Sequence, residues 1–155
     1  ALRISGALMI VVACSTLFAR TITFERIPQE LVDLFSQVST SGLVVLLMIN
    51  VLLLVIGTFM ETISAIIILA PILVPLVVSF GINPIHFGII LIINIEIAFL
   101  TPPLGVNLFV ASQIAKIPIE KMIKAVLPYV ATLIAILLIL TVFPQISLFL
   151  PNLMR

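Results

Sequence analysis

Long apolar runs, interrupted at a few short polar points, dominate this chain. Residues 1–20 hold the first run, Leu2 to Ala19, with Arg3 and Arg20 at its two ends. At 1.5 Å per residue it reaches roughly 27 Å, which predicts a transmembrane helix. Residues 21–42 change character. Pro28 suits a first helical turn, Leu31, Leu34, Phe35 and Val38 share one face, and Gln29, Glu30, Asp33 and Gln37 share the other. That pattern predicts a short amphipathic arm helix lying along the membrane surface.

Residues 43–79 contain two apolar arms, Leu43 to Ile56 and Ile63 to Val78, joined by Gly57-Thr58-Phe59-Met60-Glu61-Thr62. The first arm covers only roughly 21 Å, short of a hydrocarbon core of roughly 30 Å. One continuous helix over both would be far too long, so the pair predicts a re-entrant helical hairpin with a polar tip inside the bilayer. Gly81-Ile82-Asn83-Pro84 then reads as a stop and a start: glycine past a helix end, asparagine as cap, proline in the first turn. Residues 84–116 predict a transmembrane helix broken in mid-membrane, Ile85 to Phe99 and Val106 to Ala115, with Thr101-Pro102-Pro103-Leu104-Gly105 between. Residues 121–143 predict a further full span, and 144–155 a short tail.

Composition agrees with lipid as the solvent. The chain is 63% hydrophobic and 8% charged, against about a quarter charged in soluble domains. A net charge of +1 gives no basic footprint for nucleic acid. Lone Cys14 sits in an apolar run and reads as a small hydrophobe. The positive-inside rule places Arg3 and the Lys116, Lys121 and Lys124 turn in the cytoplasm, and the acidic arm helix, the Asn83-Pro84 turn and the tail outside. The fold class is therefore an all-α, multi-pass membrane protein. The chain starts at Ala1 and reads as a fragment, with a counterpart expected upstream.

The chemistry lies at the two interruptions. Irregular backbone at membrane depth persists only where it lines a cavity or is buried in protein. Pro102 and Pro103 lack N–H groups, so the carbonyls of Ala98 and Phe99 lose their i+4 donors. Freed carbonyls and the Thr101 hydroxyl are hard oxygen ligands suited to an alkali cation. The helix restarting near Val106 points free N–H groups and a positive dipole end at the same spot, which favours an anion. The tip repeats the arrangement with Thr58, Glu61 and Thr62. Paired discontinuous helices of this kind mark substrate and ion sites in secondary transporters. Thr62, Pro102, Pro103 and Asn107 are the expected substrate contacts. Asn107 also reads as interhelical hydrogen-bond glue, as does Asn50. Glu61 is an ionisable group at the tip, and reads as a cation ligand or a proton-carrying group. Glu96, beside Asn94, pairs either with the site or with a group outside this chain. His86 reads as a cap-region residue at the outer surface.

The strings Gly81-Ile82-Asn83-Pro84-Ile85-His86-Phe87-Gly88, Asn94-Ile95-Glu96-Ile97 and Thr101-Pro102-Pro103-Leu104-Gly105-Val106-Asn107-Leu108-Phe109-Val110, with Met60-Glu61 and Pro71 to Pro75 before them, are specific. Essentially the whole chain resembles the C-terminal half of the large membrane subunit of TRAP (tripartite ATP-independent periplasmic) transporters, the DctM-type permeases. The resemblance implies an elevator transporter made of two inverted repeats, in the bacterial inner membrane, importing small organic acids with sodium as coupling ion and no other cofactor. C4-dicarboxylates, sialic acid and keto acids are the substrate class it implies. Its partners would be a small membrane subunit, a periplasmic substrate-binding protein and the N-terminal half of the same permease. Carried over residue by residue, one sodium site would use Gly57 and Thr58 at the tip with Thr101 and Gly105 at the break. The first repeat is absent here, and Ala98 stands where similar proteins often have glycine.

An enzyme is the poorer reading. The spans carry no aspartate pair and no HExxH string, and one histidine cannot build a catalytic set alone. A structural or channel-type membrane subunit without coupled transport is the better rival.

Overall fold

The computed structural model describes Thr21, Phe24, Glu25 and residues 27–59, 62–101 and 106–154. The expected span over residues 1–20 lies outside them, as do Glu61, Pro102, Pro103 and Gly105. Among the described residues the secondary structure is entirely helical. The helices are α1 (Ile27–Val38), α2 (Gly42–Gly57), α3 (Thr62–Ser79), α4 (Pro84–Phe99), α5 (Val106–Ala115), α6 (Ile119–Val142) and α7 (Pro144–Leu153).

Helix α4 is the centre of the bundle, packed by α2, α3, α6 and α7. Phe87, Ile90, Leu91, Ile95, Ile97 and Ala98 along it are buried. The facing stripe of α2 is Val45, Leu46, Ile49 and Leu53, spaced three to four apart as one helical face requires. α3 contributes Ala65, Leu69, Leu73, Leu76 and Val77. Its prolines, Pro71 and Pro75, stand one turn apart on the exposed side. The ring and the missing N–H therefore interrupt the face turned away from the core.

The junctions follow from side-chain chemistry. Gly81 has φ +76°, the left-handed region that a helix-ending glycine reaches without a Cβ penalty. The Ile82 N–H donates to the Val77 carbonyl (3.0 Å) and the Gly81 N–H to that of Val78 (2.9 Å), which closes the end of α3. Two residues later the Ile85 N–H donates to Asn83 Oδ1 (2.8 Å) and Pro84 opens α4. The stop-and-start expected of this tetrapeptide is what the backbone does. A similar closure follows α5, with Lys116 at φ +54° and the Ile117 N–H donating to the Ser112 carbonyl (3.2 Å).

Helix α6, 24 residues long with a mean hydropathy of 2.6 in its best window, is the one described helix long and apolar enough to cross a membrane alone. α2 and α4, each 16 residues, reach only about 24 Å. The arm helix α1 meets α2 at 113°. Its apolar face is divided: Phe35 is buried and Leu31 and Val32 pack on the core, while Leu34 and Val38 stay exposed. The single apolar face expected for the arm is thus two faces, one against α3 and one open.

Candidate ion and substrate site

The tip end of α2 and the break end of α4 touch. A Cβ built on Gly57 would lie 2.7 Å from the Cβ of Ala98 and 3.7 Å from the Ile95 Cα. Only a residue without a side chain admits this approach, because a relaxed carbon–carbon contact needs roughly 3.5–4.0 Å. The closeness therefore comes from Gly57, and Ala98 does not prevent it.

Each helix ends beside this contact in a threonine. Thr58 follows Gly57, and its hydroxyl donates to the Val55 carbonyl at 2.8 Å. Thr101 follows Ala98 by three residues, and its hydroxyl donates to the Ile97 carbonyl at 2.7 Å. Both hydroxyls thus commit their proton to their own helix and keep oxygen lone pairs for another partner. One part of the expected ligand set changes. The Ala98 carbonyl is not free, because the Thr101 N–H donates to it at 3.0 Å, a tightened last turn that needs no proline N–H. Thr101 also borders a cavity of ≈30 Å³ whose other walls are Leu100, Ile123, Leu127 and Val130. The side chains of those walls offer a cation no further oxygen. Thr62 begins α3 and is half-buried. Glu61, Gly105, Pro102 and Pro103, with the Asn107 side chain, lie outside the description.

Below the contact runs a buried polar relay. Asn94 Nδ2 donates to Asn50 Oδ1 (2.9 Å) and to the Ile90 carbonyl (2.9 Å). Asn50 Nδ2 donates to Thr141 Oγ1 (2.8 Å), and that hydroxyl donates to the Leu137 carbonyl (2.7 Å). Asn50 is the interhelical glue expected of it, joining α2 to α4 and α6. The roles of Asn94 and Thr141 were not readable beforehand, since a threonine in an apolar span resembles any other. Asn94 Oδ1 is buried without a donor. Glu96, one step round α4, is exposed and has no partner among the described residues. His86 departs from its expected place: only 3% of it is exposed, and it shares a cavity lining with Thr141, Val142, Pro144 and Leu148 from the distant α6–α7 region.

The chain matches the family model of the tripartite ATP-independent periplasmic transporter, DctM component, over residues 1–146. The chain belongs to the DctM family. Among other DctM proteins it is 47% identical over 145 residues to the isethionate TRAP transporter permease protein DctMQ of Oleidesulfovibrio alaskensis, covering 94% of this chain and 23% of that one. It is 43% identical over 145 residues to the C4-dicarboxylate TRAP transporter large permease protein DctM of Pseudomonas aeruginosa, covering 94% of this chain and 34% of the relative. To the sialic acid TRAP transporter large permease protein SiaM of Vibrio cholerae it is 43% identical over 138 residues, covering 89% and 32%. The chain thus spans about a quarter to a third of the curated DctM relatives it matches. These relatives are named as transporter permeases, a class of carriers and not of enzymes.

Proposed function

We propose that this chain is the sodium-binding C-terminal part of a TRAP large permease that imports a small organic acid across the bacterial inner membrane. The observation that carries the reading is the Gly57–Ala98 contact, which brings together two helix ends, each followed by a threonine with its oxygen lone pairs available. Hard oxygens suit an alkali cation. In this reading α2 and α3 are the arms of a re-entrant hairpin, and α4 with α5 is the broken helix facing it. Thr58 and Thr101, with Glu61 and the backbone at Gly57 and Gly105, hold sodium. Thr62, Pro102, Pro103 and Asn107 face the organic acid, helped by the N-terminal end of α5.

The names of the relatives cover isethionate, C4-dicarboxylates and sialic acid, all anions at neutral pH, and we propose an anion of that class as the substrate. A periplasmic binding protein delivers it, a small membrane subunit and the N-terminal part of the permease complete the machine, and the hairpin-bearing body moves as an elevator. The rival is a structural or channel-type subunit. Counterflow separates them: vesicles with the complete permease, preloaded with unlabelled substrate, accumulate labelled substrate only if a carrier alternates. Equal labelling with and without preload would assign the chain to the rival class.

A further inference from the structure

Across helices α2, α3, α4 and α5, Glu96 is the only aspartate, glutamate, lysine or arginine. It stands twelve residues after Pro84, about 18 Å along the axis of α4. With the Asn83–Pro84 turn at the membrane surface, that is mid-depth in a hydrocarbon layer of roughly 30 Å. Its direction is set by its neighbours. Asn94 bonds to Asn50 of α2, and Ala98 meets Gly57 of α2. Glu96 is two residues from each, about 200° round a helix of 3.6 residues per turn. It therefore points away from α2 and from the proposed ion site, and it is exposed.

The rest of that face is apolar and equally open. Ile85 and Ile92 are each 50% exposed and Ile89 is half-buried, and with Gly88 and Glu96 they fall within about 100° of one another. Lipid would suit the isoleucines but not the carboxylate, which at this depth needs an opposite charge or hydrogen-bond donors. An aqueous cavity would suit the carboxylate but not the isoleucines beside it. Gly88 points independently to protein. Glycine weakens a helix interior, yet a Cβ built there would meet nothing within 4 Å, so no contact in the described structure calls for it. A notch on an apolar helix face is what lets a second helix come close. The chain covers only 34% of the Pseudomonas aeruginosa relative, so a permease of that length has further polypeptide to supply one. We infer that this stripe of α4 is an internal interface of the complete permease, covered by a helix from the polypeptide outside this chain, with a lysine or arginine of that helix paired to Glu96. The interface is separate from the ion and substrate site and does not depend on what the permease transports.

The test uses the complete permease in its native membrane, with a diazirine amino acid incorporated at position 92 in place of isoleucine. After illumination, peptide mass spectrometry should map the adducts to one helix of the same polypeptide outside this chain, within two turns of a lysine or arginine. The same substitution at position 85 repeats the measurement if the first one fails to fold. Adducts with lipid alone, or with a separate membrane subunit, would overturn the proposal. Glu96→Gln should lower the thermal midpoint of the purified permease by several degrees, because it strands a buried basic partner, and an unmoved midpoint would count against the pairing. Glu96→Lys should abolish accumulation of folded permease. Changing the mapped lysine or arginine to glutamate in that background should restore it, and no restoration would overturn the assigned partner.

Discussion

Gly57 and Ala98 are in contact closely enough that a methyl group on the first would overlap the methyl of the second, at 2.7 Å. Neither carbon can swing away, since each is fixed directly to its backbone. Gly57→Ala should therefore separate the end of α2 from α4 by roughly 1 Å to restore a normal carbon contact. Sodium-dependent uptake should fall at least about tenfold, as expected when a site is displaced by that distance. Ala98→Gly should be nearly silent alone and should restore uptake in the Gly57→Ala background. Absence of rescue would mean that glycine is needed at position 57 for its backbone and not for the contact.

Thr101→Val removes an oxygen and keeps the shape. The helix end loses only the bond to Ile97, so membrane insertion should persist while sodium-dependent uptake in reconstituted vesicles is abolished. An unchanged sodium dependence would remove Thr101 from the ligand set. The expectation is sharper than it is for the Ala98 carbonyl, which the Thr101 N–H already occupies.

For Glu61→Gln, charge goes and shape stays. If the carboxylate helps to hold sodium, apparent sodium affinity should fall by about 1.5–3 kcal/mol, the range for a hydrogen bond to a charged group. Uptake measured against sodium concentration reads this directly, and an unshifted curve leaves the two threonines as the supported side-chain ligands.

The asparagine relay should behave as a unit. Asn50→Leu and Asn94→Leu should each destabilise the protein by about 1 kcal/mol, because each strands a buried polar partner. The double variant should be less destabilised than the sum, since it removes both ends of the 2.9 Å bond. Denaturation midpoints of the four proteins in one detergent measure the coupling, and strict additivity would show that the bond contributes nothing.

Gly81 isolates backbone conformation. Nothing lies within 4 Å of a Cβ built there, and φ is +76°. Gly81→Ala should cost about 1 kcal/mol from left-handed strain alone, Gly81→Asn less and Gly81→Val more. The order of the three thermal midpoints is the check.

Much of this was legible in the chain, and the reasons differ from place to place. Gly81-Ile82-Asn83-Pro84 could be read to the residue because each member acts locally: a φ, a cap, a ring. Asn50 could be read because an amide in an apolar run must find a partner, although which partner depends on three helices meeting. Thr141 carried no such signal, being able to satisfy itself on the Leu137 carbonyl of its own helix. His86 was misplaced because its neighbourhood is a helix start, while its burial is decided by α6 and α7 arriving from far along the sequence. The Ala98 carbonyl was misjudged for a local reason: two prolines remove the i+4 donors, but an i+3 donor was still at hand. The closeness of Gly57 to position 98 rests on an absent side chain 41 residues away, which no local pattern encodes.

The orientation of two hydroxyl protons, at Thr58 and Thr101, also bears on timing. Oxygens that have given their protons to their own helices present negative charge density and nothing positive. To an arriving carboxylate they are repulsive, and to a bare cation they are attractive. If both oxygens serve the site, an organic anion meets a hostile surface until an ion is seated, and an inviting one afterwards. Occupancy then has an order, cation before acid. On the proposed sodium-coupled reading, the empty site discriminates against the acid until the ion is seated, which is the condition that prevents uncoupled leakage.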